Sequence, residues 1–156
     1  GFAYAGEALV GKFIGSRDSA SLNLVVRQLF KWGMYISLPF AIVYAIFPTP
    51  FVKMISDNPV IIEQVQPYYI YMVLIPVITF AAFLWDGIYI GATASKAIRN
   101  TMIISSLLVF LPLRYLLVPV WGNHGLWIAF LCFMVARGVT MTLSAKKNIL
   151  QAIKDN

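Results

Sequence analysis

One cysteine and one histidine are all that this 156-residue chain offers to thiol or imidazole chemistry, and its acidic residues number only six. A lone Cys132 excludes an intrachain disulfide and a cysteine metal cluster. Inside an apolar stretch, as a small buried residue, it needs no role beyond packing. The GxGxxG, P-loop, HExxH, GxSxG and paired-cysteine patterns are absent, so nothing in the sequence cradles phosphate, holds zinc or presents a nucleophile elbow. No enzymatic activity and no cofactor are expected. His124, in the turn WGNHG, has no sequence neighbour to orient its ring, and a solvated turn residue is the expectation for it.

Apolar residues dominate what is present. They make up 60% of the chain against 12% charged, with a mean hydropathy of +0.80, where soluble domains carry about a quarter charged residues. Five apolar stretches, at about 1–14, 30–51, 68–90, 101–120 and 126–143, are read as spans. All but the first approach the roughly 20 residues that a membrane-crossing helix needs. An all-α integral membrane bundle of about five helices follows. The first stretch opens without methionine or a basic n-region, and one lobe of a longer polypeptide is therefore expected.

The formal net charge of +6 does not point to nucleic acid, because the basic residues gather at span ends and not in one aromatic-laced patch. If the first span runs inward, Lys12, Arg17, Arg27 and Lys31 share one cytoplasmic loop, Lys96 and Arg99 the next, and Arg137, Lys146, Lys147 and Lys154 the C-terminal side. Only Lys53 falls outside and Arg114 within a span, a positive-inside asymmetry that makes the C-terminus cytoplasmic. Pro48 and Pro50 break the second span. Ser56 or Asp57 then caps a surface helix carrying Pro59 in its first turn. Trp32, Tyr68, Tyr69, Tyr71, Trp85, Trp121 and Trp127 lie near predicted interfaces, as headgroup-belt anchors would. The segment 144–156 sets Ile149, Leu150 and Ile153 against Lys146, Lys147 and Lys154, the pattern of a helix lying on an anionic inner leaflet.

Four residues stand out for chemistry. Glu7 and Asp86 lie in apolar stretches, where a charge costs on the order of 3 kcal/mol or more and is rarely kept for packing alone. Ala3, Glu7, Gly11 and Gly15 recur every four residues and share one helical face. Small residues there admit a second helix closely, so the Glu7 carboxylate is expected inside protein, where desolvation favours proton uptake near neutral pH. A structural Glu hydrogen-bonded to a neighbouring helix is the alternative, and Tyr4 is a local partner. Asp86, near the cytoplasmic end of its span, is either functional or a solvated interfacial acid. Beside it, Gly87 and Gly91 form a GxxxG pattern. Arg114 either snorkels to the outer interface or meets a carboxylate or anionic ligand. Pro39, Pro76 and Pro112 interrupt three spans, as in helices bent around a cavity.

The segments GFAYAGEALVGKFIGSRD, SDNPVIIEQVQPYYIYM and DGIYIGATASKAIRN resemble the multidrug and toxic compound extrusion family, and within it the bacterial DNA-damage-inducible-F-like branch. The resemblance implies one lobe of a twelve-helix, two-lobed transporter, with residues 1–143 as helices eight to twelve and 144–156 as a cytoplasmic tail. It implies antiport of small amphipathic or cationic compounds against inward H+ or Na+ in the bacterial inner membrane. It also implies the lipid bilayer and an N-terminal lobe of the same polypeptide as partners. Glu7 would match the helix-eight acid and Asp86 the helix-ten acid that serve cation coupling or substrate binding. The alternatives are a lipid-linked oligosaccharide flippase of the same superfamily, which would want several cavity arginines where this lobe offers Arg114, and a non-transporting membrane scaffold.

Overall fold

Glycine decides how the first helix seats. In the computed structural model, which describes residues 2–155 apart from the side chains at 2, 146, 148 and 150–155, α1 (Phe2–Gly15) is too short to span by itself. It runs alongside the later central helix, α5, with the Ala3 backbone against Gly87 and the Glu7 backbone against Gly91. A methyl group at either glycine would collide with the carbonyl of α1 facing it. The GxxxG pair thus works as a seam that lets two helices touch backbone to backbone. Gly87→Ala is expected to lower stability by about 1–3 kcal/mol, since a rigid backbone cannot yield to the new methyl. Gly15→Ala, where nothing lies within 4 Å of the added carbon, should be near neutral. Thermal unfolding of the two full-length variants checks the contrast.

The chain turns after α1 through a left-handed Arg17 (φ 56°) and restarts at α2 (Ser19–Ile46), capped by Asp18, whose side chain accepts from the Ser21 amide at 3.0 Å. Hydrogen bonding from Ser21 holds the Asp18 carboxyl below its ordinary value. The same construction recurs later: Ile14, Gly15, left-handed Arg17 and Ser19 parallel Ile90, Gly91, left-handed Thr93 (φ 55°) and Ser95. Because α2 begins at Ser19, Arg27 and Lys31 lie inside a helix and not in the loop expected from sequence.

Prolines here start helices as well as end them. α2 stops at Ile46, and Pro48 opens a short α3 (Pro48–Ile55) that the broken-span reading did not foresee; proline at the first helical position loses no intrahelical bond. α4 (Pro59–Val65) is capped by Asn58, which accepts from the Val60 amide at 3.0 Å, and not by Ser56 or Asp57. A 3₁₀ turn at Gln66–Tyr68 leads into α5 (Tyr69–Gly91), which carries Pro76 without interruption. α6 (Ser95–Ser105) is joined to α7 (Leu111–Trp121) by a π turn at Ser106–Phe110. The turn sits just ahead of Pro112, which lacks an N–H and crowds the carbonyl four residues back. α8 (Asn123–Asp155) runs unbroken past residue 143. Of the residues behind the expected amphipathic character of 144–156, Ile149 packs into the protein core and not onto a leaflet, and Lys147 is exposed; the side chains of Lys146, Leu150, Ile153 and Lys154 lie outside the described residues.

α5 is the hub, packed by α1, α2 and α8. The core joins Val10 and Ile14 of α1, Leu22 and Leu29 of α2, Leu84, Trp85, Ile88 and Tyr89 of α5, and Met141 and Ala145 of α8. Most other large apolar side chains of α2 and α6 to α8 face outward, as lipid contact requires. Among the described residues, four helical segments are long and apolar enough to cross a membrane: Ser19–Ile46, Pro59–Gly91, Ser95–Trp121 and Asn123–Ala145. The fold is an all-α membrane bundle, with α1 as a short fifth helix. Cys132 faces outward and is not the buried packing residue expected.

Candidate functional site

Asp86 has a partner that sequence reasoning placed elsewhere. Its neighbour Gly87 faces α1, and Asp86 faces α8. There Arg137 Nη2 donates to Asp86 Oδ1 at 2.5 Å. Arg137 is 5% exposed, so this is an interior ion pair and, among the described residues, the only one. Asp86 thus has an interior partner that neither expectation for it included, and Arg137, grouped by sequence with the C-terminal basic residues, is buried against it. Two hydrogen bonds flank the pair. Trp85 Nε1 donates to Thr142 Oγ1 at 2.8 Å and Tyr89 O–H donates to the Met141 carbonyl at 2.7 Å. Trp85 is therefore buried in the bundle and not a headgroup anchor.

The pair is incompletely satisfied. Arg137 Nε is buried without an acceptor, and so is the Ser105 hydroxyl at the end of α6. Buried polar groups are almost always hydrogen-bonded; with the Tyr69 hydroxyl at the start of α5 these make three such orphans among the described residues. α7 and α8 form a hairpin in which Gly125 lies against the Leu117 backbone.

Glu7 sits on the other side of α5. It is half-buried, its backbone against Gly91, at the level where α5 ends. Among the described residues no hydrogen bond or ion pair engages its carboxylate. Tyr4 is 74% exposed and makes no described bond to Glu7. Glu7 on α1 and the Arg137 partner of Asp86 on α8 thus lie on different sides of α5, with both acids close to the glycine seam. Arg114 is exposed on α7, its guanidinium carbon 5.6 Å from the Tyr115 ring centre, and is not brought near either acid by any described contact.

Two apolar grooves open on α5. One of about 350 Å³ lies among Ala3, Gly33, Ser37, Phe80 and Leu84; another of about 400 Å³ lies among Ala81, Met134, Gly138 and Thr142. Each is mostly hydrocarbon with a hydroxyl in its wall, suited to the apolar body of an amphipathic molecule or to acyl chain. Among the described residues no cluster of three metal-ligating side chains occurs.

His124 is not the free turn residue expected. Tyr71 O–H lies 3.1 Å from its Nδ1, and Tyr68 packs on the ring at 4.7 Å between centres. Tyr71 is itself buried and stacks on Trp127. The partner comes from the start of α5, far away in sequence and close in space.

The family model for MatE matches residues 1–116. The chain is 33% identical over 141 residues to DNA damage-inducible protein F of Escherichia coli (strain K12), an alignment covering 90% of this chain and 30% of that protein. The chain thus spans about 30% of the length of that relative. No solved structure matches it.

Proposed function

This chain belongs to the MatE family, the multidrug and toxic compound extrusion proteins, and from that premise we propose that it is the C-terminal-lobe part of a secondary active efflux transporter. The family membership and the spanning helices make it part of a multi-pass membrane protein; transporters of this kind carry out no bond chemistry. On this reading residues 1–143 are helices eight to twelve and 144–156 the cytoplasmic tail, in a bacterial inner membrane, with an N-terminal lobe of the same polypeptide facing the grooves on α5.

The transported molecules are small amphipathic or cationic compounds, exchanged for inward H+ or Na+ with no other cofactor. The observation that carries the reading is Glu7: a half-buried carboxylate at a backbone-to-backbone helix seam, with no described partner to neutralise it. A carboxylate in that position gains most from a cation that comes and goes. Asp86 is the second exchange residue. Tyr4 and Arg114 are assigned to the rim of the substrate path, Tyr4 one turn from Glu7 and Arg114 at the outer end. Binding at either acid moves the lobes only by favouring one conformation over the other.

The test uses the full-length protein in sealed vesicles, with a fluorescent organic cation on one side and an imposed H+ or Na+ gradient. Dye movement against its own gradient, driven by one of the two ions, is the expected result. Dye movement indifferent to both gradients would overturn the antiport reading.

A further inference from the structure

The geometry points to a function for Arg137 at Asp86: we propose that it is a tethered counter-ion, against which every transported or coupling cation must compete. The inference rests on the antiport reading only for its physiological purpose; the competition itself is a property of binding. Arginine keeps its charge in proteins, so Asp86 is already neutralised from within the chain. A proton or sodium ion arriving at Asp86 would leave the guanidinium buried without its carboxylate, a costly state.

Two features separate this arrangement from a fixed structural latch. A latch between helices is best made bidentate, with the arginine fork matching both carboxylate oxygens. Here the described bond runs from Nη2 to Oδ1, while Nε has no acceptor. The two partners are also unequally covered: the Asp86 side chain is 21% exposed and the Arg137 side chain 6%, so the carboxylate is the member that a ligand can reach. Arg137 is the positioning residue in this scheme; Asp86 is the group that touches the cation.

The competition has a sign that a merely structural arginine would not show. In detergent-solubilised full-length protein, Arg137→Gln should bind tetraphenylphosphonium or sodium at least about tenfold more tightly than wild type, the scale of coupling between close charge pairs. Adding Asp86→Asn to it should abolish the gain. Arg137→Lys retains a charge with a poorer fit to the carboxylate, so it should fold and give an affinity between wild type and Arg137→Gln. Ligand-induced thermal shifts and direct titration read all three. Unchanged or weaker cation binding in a folded Arg137→Gln overturns the proposal; if that variant fails to fold, wild-type or lower affinity in Arg137→Lys does so instead. Because binding is measured without transport, its outcome is separate from the vesicle experiment: absent gradient-driven efflux sinks the antiport reading, and unaltered affinity sinks the counter-ion.

Discussion

Truncating Asp86 to alanine is expected to destabilise the protein by about 3–5 kcal/mol, the usual consequence of leaving one member of a buried ion pair uncompensated. Arg137 is 5% exposed and lies on α8 between Thr140 and Met134, well inside the span that ends at Ala145. It is eight residues from that end, roughly 12 Å of helix rise, a long reach for snorkelling. Removing both charges should recover most of the loss, because apolar replacements of a buried pair are often neutral or better. Asp86→Ala with Arg137→Leu is therefore expected to melt close to wild type, while Asp86→Ala alone melts far below it. Equal melting of the single and double variants would show that the two residues do not act as a unit. Trp85 and Tyr89 hold α5 to α8 through separate hydrogen bonds, so a loss on this scale would come from the unpaired charge and not from separation of the helices.

Replacing Glu7 by glutamine in the full-length protein is expected to reduce gradient-driven efflux to that of protein-free vesicles while leaving expression and melting within about 0.5 kcal/mol of wild type, the range of substitutions away from critical contacts. Glutamine keeps the size of the side chain and its hydrogen-bonding capacity and loses only the ability to carry charge. The seam against α5 is made by the Glu7 backbone, not by its carboxylate, so packing has no reason to change. This is the converse of Asp86, where charge and stability are joined through Arg137. If Glu7→Gln transported normally, the acid would be structural; if it melted sharply, it would have a partner beyond the described contacts.

The helices themselves were legible from hydropathy, because a spanning segment must be apolar along its whole length. The seam was legible too: small residues every four positions on α1 and the GxxxG of α5 are the two halves of one contact. What sequence could not supply were pairings across long separations. Asp86 and Arg137 are fifty-one positions apart, and Arg137 near a run of C-terminal lysines looks like one more inside charge. Tyr71 and His124 are fifty-three apart, so the histidine had no orienting neighbour in its own turn. Trp85 sat where interface tryptophans sit, and only its bond to Thr142 identifies it as core. A depth count on α8 was the one signal available: Arg137 stands in the middle of the apolar run from Trp127 to Leu143, at a depth where an arginine needs a carboxylate.

Glu7 is kept, on the antiport reading, for a charge that is exchanged. The measurement that addresses this directly compares two modes of transport in the same Glu7→Gln vesicles: net efflux driven by an ion gradient, and exchange of labelled for unlabelled dye with no gradient. Loss of net efflux with dye exchange preserved is the predicted result, since a neutral side chain uncouples the ion without closing the path. Net efflux preserved at the wild-type rate would contradict it.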